Sequence, residues 1–122
     1  MKPILIVDDD SRNIFALEAT LRSRGFACVS AQDANQALSF AMQCEPSLVL
    51  MDMMMPDLDG YDAIPKIKAT IPDVAVIAVT AQAMSGDRER CLQAGADEYV
   101  AKPIDVDKLM QIIYKFTNTN GG

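Results

Sequence analysis

The chain has 122 residues, of which 50% are hydrophobic and 23% charged, and this composition predicts one folded domain with a core of its own. Its formal net charge of −6, with Lys and Arg scattered along the chain, argues against sequence-independent binding of nucleic acid. The sequence contains no histidine, which excludes Ser-His-Asp triads, Cys-His pairs, histidine-ligated metals and a phosphohistidine on this chain.

Apolar runs and helical patterns alternate along the chain. Five runs are typical of β-strands and lie at residues 4–7, 26–29, 48–51, 74–79 and 98–101. The first, third and fourth are apolar on both faces, which favours a parallel sheet covered by helices on each side, whereas the other two are weaker, as edge strands are. Between these runs, apolar residues recur at the spacing of one helix face. The three groups are Ile14, Leu17 and Leu21; Ala34, Ala37, Leu38, Ala41 and Met42; and Val106, Leu109, Met110 and Ile113. Five β-α units predict a doubly wound α/β fold with right-handed crossovers.

Residues typical of helix ends support this division. Gly25 and Gly95 fall where helices are expected to end, and Asp33, Asp59 and Asp105 fall where helices are expected to begin. One residue conflicts with the pattern, because Pro65 lies inside the helix expected after Asp59–Gly60 and an interior proline costs about 3 kcal/mol. That helix is therefore expected either to be kinked or to begin later.

Residues 1–117 are predicted to form the domain, and residues 118–122 a flexible tail or linker stub. Cys28, Cys44 and Cys91 are odd in number and lack C-x-x-C spacing, so they are predicted to be reduced thiols. The N-terminus lacks the features of a signal peptide and no apolar run approaches 18 residues. We therefore expect a cytoplasmic chain without membrane contact.

Polar side chains follow four of the five predicted strands. In open α/β sheets, ligands bind beyond the carboxyl ends of the strands, so side chains at these positions are expected to meet. The residues concerned are Asp8, Asp9 and Asp10 after the first strand, Asp52 after the third, Thr80 and Ala81 after the fourth, and Lys102 and Pro103 after the fifth.

This set of groups predicts a site for a metal ion and a phosphoryl group. Clustered carboxylates repel one another unless a cation or a proton intervenes, and oxygen ligands alone favour Mg²⁺. A lysine and a hydroxyl beside the metal suit a phosphoryl group, which an aspartate can carry as an aspartyl phosphate. The simpler alternative is that Asp8 to Asp10 only cap the following helix and that Lys102 is a surface lysine.

Over residues 2–117 the sequence resembles the receiver domain of two-component response regulators. The segments that carry the resemblance are Ile4–Asp10, Met51–Tyr61, Ala78–Ala81 and Tyr99–Pro103. The resemblance implies a flavodoxin-like receiver fold, with five helices around a five-stranded parallel sheet in the order 2-1-3-4-5. Two further segments, Ser11–Leu17 and Ala83–Leu92, are most similar to receivers of hybrid sensor histidine kinases.

The resemblance also implies a role for each acidic residue. Asp52 matches the phosphoacceptor. Asp9 matches a direct Mg²⁺ ligand, Asp8 a ligand that acts through water, and the backbone carbonyl of Met54 the third protein ligand. Mn²⁺ is expected to be able to substitute for Mg²⁺.

The remaining matches concern the phosphoryl group and its switch. Lys102 matches the lysine that pairs with the phosphoryl group, and the Ala81 N–H matches a hydrogen-bond donor to it. Thr80 matches the switch hydroxyl and Tyr99 the switch aromatic residue, and the Lys102–Pro103 peptide bond is expected to be cis.

The implied function is to accept a phosphoryl group from the phosphohistidine of a histidine kinase and to change partner binding in response. The kinase is either a separate protein or part of a longer parent chain, and a histidine phosphotransfer protein or an output partner is expected downstream. The domain would promote its own Mg²⁺-dependent phosphorylation. Its autodephosphorylation is expected to be slow, because the bulky Met54 flanks the path of the hydrolytic water.

Two other functions stay open. The first is a protein-binding module of the same fold that is not phosphorylated. The second is a phosphatase of the haloacid dehalogenase type with Asp8 as its nucleophile, although Arg12 stands where that motif has Thr or Val. A calcium loop around Asp57–Gly60 is disfavoured because Lys66 would occupy its last ligand position.

Overall fold

The computed structural model describes residues 2–55, 60–80 and 86–117. Strands and helices alternate in chain order: β1 (Ile4–Val7), α1 (Ser11–Ser23), β2 (Cys28–Ala31), α2 (Ala34–Cys44), β3 (Leu48–Asp52), α3 (Gly60–Thr70), β4 (Ala75–Thr80), α4 (Asp87–Gln93), β5 (Glu98–Ala101) and α5 (Val106–Thr117). The strands form one parallel sheet in the order β2-β1-β3-β4-β5. The predicted fold and strand order are therefore confirmed, and the two weaker strands are the edges.

Each face of the sheet is buried against helices. Leu5 and Val49 belong to a cluster with α2, α3 and α4, whereas Ile6 and Leu50 belong to a second cluster with α1 and α5. Neighbouring residues on one strand point to opposite faces, so strands buried on both faces are apolar throughout. Within the described part of the chain, no helix is long and apolar enough to cross a membrane.

The predicted start of β2 was wrong by two residues, and the end of α1 explains why. Gly25 has a φ of 90° after the helix, its N–H donates to the Arg22 carbonyl, and the N–H of Phe26 donates to the Leu21 carbonyl. These two bonds form a Schellman motif, which satisfies carbonyls that the helix leaves without partners. Phe26 therefore belongs to the helix end, and pairing with β1 begins at Cys28.

The other predicted helix ends are mostly as expected. Gly95 ends α4 with the same pair of bonds, with a φ of 115°. Asp33 accepts a hydrogen bond from the Gln36 N–H at the start of α2, and Asp105 accepts bonds from the N–H groups of Asp107 and Lys108. Asp59 lies outside the described residues.

Three residues of the helical segments depart from their sequence patterns. Helix α3 begins at Gly60 and so does not begin late, and it continues past Pro65, which lies on its exposed face and has no N–H to donate. Met42 and Val106 belong to the apolar helical patterns of α2 and α5, yet they are 69% and 39% exposed. Met42 continues the outer edge of the α2 stripe, one turn after the half-buried Leu38, and Val106 is the first residue of α5.

Candidate functional site

The register of the sheet brings four polar residues to one edge. Val7 is paired with Met51, so that Asp8 and Asp52 follow on neighbouring strands. Thr80 ends β4 opposite Ala101, and the Lys102 N–H donates to the Thr80 carbonyl at 2.7 Å. The structure thus places these side chains at the carboxyl ends of the strands, where the sequence predicted them.

Three carboxylates form an acidic cluster at this edge. Asp8 and Asp52 are buried and Asp9 is exposed, and each of the three offers a carboxylate oxygen within 4.8 Å of the others. Two unit charges at that separation repel by about 3 kcal/mol at an effective dielectric constant near 20. The cluster is therefore costly to fold unless positive charge lies close to it.

Among the described residues, each oxygen of Asp52 accepts a hydrogen bond. The Met54 N–H donates to Oδ1 at 2.9 Å, and the Lys102 ammonium donates to Oδ2 at 3.2 Å. The Asp52 side chain is 5% exposed, so this ion pair is well shielded from water on the acidic side. Among the described residues, the three carboxylates of the cluster and the Lys102 ammonium together carry a formal charge of −2.

The pKa of Asp8 is raised in this arrangement. Burial raises the pKa of its carboxyl, and the nearby charge of Asp52 raises it further, while the Asp10 N–H and the Lys102 ammonium oppose the change. The Asp10 N–H donates to Asp8 Oδ1 at 2.8 Å. A divalent cation at the cluster would supply the missing positive charge, and this all-oxygen donor set fits Mg²⁺.

Asp10 has a structural role instead. Its Oδ1 accepts a hydrogen bond from the Arg12 N–H at 2.9 Å and caps α1. The Arg12 side chain also approaches this oxygen, at 3.5 Å. The capping alternative is therefore right for Asp10, while Asp8 and Asp9 belong to the acidic cluster.

The other predicted residues surround the cluster to different degrees. Thr80 is buried at the end of β4, and Tyr99 is half-buried, packed against the cluster of buried residues that includes Val49. The Lys102–Pro103 peptide bond is cis. Ala81 lies outside the described residues. Met54 is 49% exposed, which leaves its side chain accessible beside Asp52.

One feature of the site was not anticipated from the sequence. A cavity of about 270 Å³ adjoins the acidic cluster on the face of the sheet that α1 and α5 cover. Asp8, Asp52 and Lys102 line it, together with residues of α1 and of the segment between β5 and α5. No motif marks it, because its lining residues come from separate segments that meet only after folding.

Comparison with known proteins decides the family. A model of the response regulator receiver domain matches residues 4–114. The chain belongs to this family. Receiver domains take phosphoryl groups from histidine kinases and act on downstream partners, and they typically bind Mg²⁺. The acidic cluster and Lys102 therefore lie in a domain of the class that the resemblance implied.

The curated relatives are response regulators. The transcriptional regulatory protein PrrA of Mycobacterium tuberculosis is 37% identical over 107 residues, which make up 88% of this chain and 46% of PrrA. The chain thus spans about half the length of PrrA. The polar-differentiation response regulator DivK of Brucella abortus is 32% identical over 117 residues, which make up 94% of this chain and 95% of DivK.

Solved structures of receiver domains are similar to this chain over nearly its whole length. The receiver domain of the sensor histidine kinase PA1611 from Pseudomonas aeruginosa is 40% identical, with a TM-score of 0.84 over 94% of this chain and 96% of that chain. That structure contains a magnesium ion coordinated in the active-site cleft. A CheY-like receiver domain protein from Methanospirillum hungatei is 30% identical, with a TM-score of 0.86 over 94% and 92% of the two chains.

Proposed function

We propose that Asp52 accepts a phosphoryl group from the phosphohistidine of a histidine kinase, and that this modification changes the binding of a partner. The observation that carries the proposal is the geometry around Asp52. Its buried carboxylate has two further carboxylates within 4.8 Å and the Lys102 ammonium at 3.2 Å. Acidic residues that hold a cation beside a nucleophilic aspartate, with a lysine within reach, are the parts that phosphoryl transfer needs.

Asp8, Asp9 and Asp52 would hold Mg²⁺, together with the backbone carbonyl of Met54. The bound ion would neutralise the acidic cluster and the negative oxygens of the phosphoryl group. The magnesium ion of the PA1611 receiver domain, which is 40% identical, supports this assignment. Mn²⁺ is proposed to substitute, because the ligands are oxygen atoms alone.

The chain's own residues have distinct roles in the transfer. An Asp52 oxygen forms a bond to phosphorus as the bond between phosphorus and the imidazole nitrogen breaks, and that nitrogen keeps the electron pair. Lys102 already contacts Asp52, so its ammonium lies within reach of a phosphoryl group on that residue. The Ala81 N–H would donate a further hydrogen bond to it.

The response to phosphorylation would pass through Thr80 and Tyr99. Phosphorylation adds about −1.5 to −2 charges, which attract the Thr80 hydroxyl towards the phosphoryl group. Tyr99, on the neighbouring strand, would then turn inward from its half-buried position. The surface of α4, β5 and α5 would change, and with it the affinity for a histidine phosphotransfer protein or an output partner. Likeness to the PA1611 receiver domain favours a hybrid sensor kinase as the natural setting.

Phosphosite mapping tests the proposal. The protein is incubated with Mg²⁺ and acetyl phosphate, or with a phosphorylated histidine kinase, and the modified residue is located by mass spectrometry. We expect the phosphoryl group on Asp52. A phosphoryl group trapped on Asp8 would instead indicate the phosphatase mechanism, and no modification with either donor would indicate a binding module that is not phosphorylated.

Replacement of Met54 is predicted to change the phosphoryl lifetime. Met54 is 49% exposed next to the phosphoacceptor, and its apolar side chain would obstruct the approach of the hydrolytic water. Met54→Asn should shorten the lifetime by about fivefold, which corresponds to roughly 1 kcal/mol of barrier. The decay of label after removal of the donor measures it. Met42 is also an exposed methionine but lies on α2, so Met42→Asn should leave the decay unchanged. Equal decay in the parent and Met54→Asn would contradict the prediction.

A further inference from the structure

The cavity beside the acidic cluster joins a charged end to an apolar body. Its volume is about 270 Å³, and Asp8, Asp52 and Lys102 lie at its charged end. The sheet contributes Leu50 to its apolar lining, and Leu17 of α1 and Ile104 also line it. Ligand sites typically combine an apolar lining with a few polar groups in this way.

The charges at this end of the cavity determine whether a positively or a negatively charged ligand group is favoured. Two of the carboxylates in the acidic cluster line the cavity, and Lys102 supplies one positive charge, which is already paired with Asp52. Asp9, the third carboxylate of the cluster, lies within 4.8 Å of both. An anionic group would meet this excess of negative charge, whereas a cationic group would offset it.

We propose that the cavity binds a small amphipathic organic ammonium ion, whose cationic group pairs with Asp8 and Asp52 and whose apolar body lies between α1 and residues 103–106. An inorganic cation satisfies the charged end alone and leaves the apolar walls exposed to water. An ammonium ion with an aryl or alkyl body also covers Leu17, Ile104 and Val106, and Val106 is 39% exposed in the free chain. The volume suits a molecule of fragment size.

Binding of this ion would oppose binding of Mg²⁺, and this part of the inference rests on the proposed function. Both cations use the carboxylates of Asp8 and Asp52, so each would weaken the other by the same factor. A small amine in the cavity would therefore hold the phosphorylation site in a state without metal. The phosphorylation site of this receiver domain would then respond to a small amine as well as to its kinase.

The experiment uses the phenethylammonium ion as the probe, with two comparison ligands. Amide shifts of the ¹⁵N-labelled protein are followed by NMR during titration with phenethylammonium, ethylammonium and 3-phenylpropionate. We expect phenethylammonium to bind with a Kd on the order of 1 mM and to shift the amides of Ala16, Leu17 and Ile104. Ethylammonium should bind at least about tenfold more weakly, because it lacks the apolar body, and 3-phenylpropionate should not bind. Equal binding of the two ammonium ions, or binding of the carboxylate, would overturn the proposal.

Two variants of α1 separate the cavity from the metal site. Ala16 lines the cavity at an exposed position of the helix, and Ala19 is exposed on the same helix outside the cavity. Ala16→Leu keeps a strong helix former and should weaken phenethylammonium binding by about fivefold or more, and Ala19→Leu should not. Mg²⁺ affinity, titrated separately, should be the same in both variants. Unchanged phenethylammonium binding in Ala16→Leu would refute the assignment to this cavity.

Competition between the two cations completes the test. Saturating Mg²⁺ should raise the apparent Kd of phenethylammonium by about tenfold or more. If phenethylammonium binds as expected and Mg²⁺ does not bind at all, the proposed function fails and the cavity assignment stands. If Mg²⁺ binds and phenethylammonium does not, the cavity assignment fails and the proposed function stands. If both bind without competition, the placement of the ammonium group at Asp8 and Asp52 is wrong.

Discussion

Asp52→Asn is expected to reduce phosphoryl uptake by at least about a hundredfold, because the amide that replaces the carboxylate is not a nucleophile. The asparagine oxygen can still accept the Met54 N–H that now donates to Asp52 Oδ1, so the turn after β3 should keep its shape. The measurement is incorporation of label from radioactive acetyl phosphate with Mg²⁺ present. Circular dichroism of the variant establishes that the fold is retained.

Asp10→Asn is the matched control for this loss. It removes one negative charge from the loop between β1 and α1, two residues after Asp8, and asparagine also caps helices well. Asp10 binds the Arg12 N–H and lies outside the acidic cluster, so this variant should take up label as the parent chain does. Uptake by Asp52→Asn at the parent level would show that another residue is the phosphoacceptor.

Continuous apolar strands made the fold predictable from the sequence. Residues 4–7, 48–51 and 98–101 lie in strands as predicted, and burial on both faces of the central strands explains their uninterrupted apolar character. The start of β2 was less predictable, because Phe26 is apolar and favours strands as well as a helix end. Only the Schellman bonds after α1 assign it to the helix.

The apolar patterns of α1, α2 and α5 predicted the buried faces of these helices better than their limits. Leu109 and Ile113 are fully buried, as expected, but Val106 continues the same stripe and lies at the rim of the cavity. Periodicity gives the direction of a side chain, and it does not show how far the neighbouring element extends. Pro65 is the opposite case, because the local rule predicts a kink or a later start, and α3 begins at Gly60 and continues with the proline on its exposed face.

The acidic cluster could be predicted because parallel strands align their carboxyl ends. Because four predicted strands end in polar residues, the sequence alone predicted that Asp8, Asp52 and Lys102 lie close together. The division of roles within the run of three aspartates was not predictable in this way. It depends on which side chain turns back to cap α1, and the structure assigns that role to Asp10 through the Arg12 N–H.

Asp8→Asn is expected to stabilise the metal-free protein and to weaken its binding of Mg²⁺. Asp8 is 3% exposed, its pKa is raised by burial and by the charge of Asp52, and the charged form therefore opposes folding. Asparagine removes that charge and can still accept the Asp10 N–H. The gain should be about 1 kcal/mol, or roughly 3–6 °C in Tm for a domain of this size.

Addition of Mg²⁺ should make the parent chain more stable than Asp8→Asn, which reverses their order in EDTA. A ligand that binds only the folded state stabilises it by RT ln(1 + [L]/Kd), so the parent chain gains with every increase in Mg²⁺. The variant lacks one of the three carboxylates and should bind Mg²⁺ at least about tenfold more weakly, which corresponds to roughly 1.4 kcal/mol less stabilisation at saturating metal. Thermal melts in EDTA and across a Mg²⁺ series measure both effects. Asp73→Asn, at an exposed aspartate before β4 and at the opposite edge of the sheet, should follow the parent in every melt. A lower Tm for Asp8→Asn in EDTA would contradict the repulsion argument, and an undiminished response to Mg²⁺ would show that Asp8 is not part of the metal site.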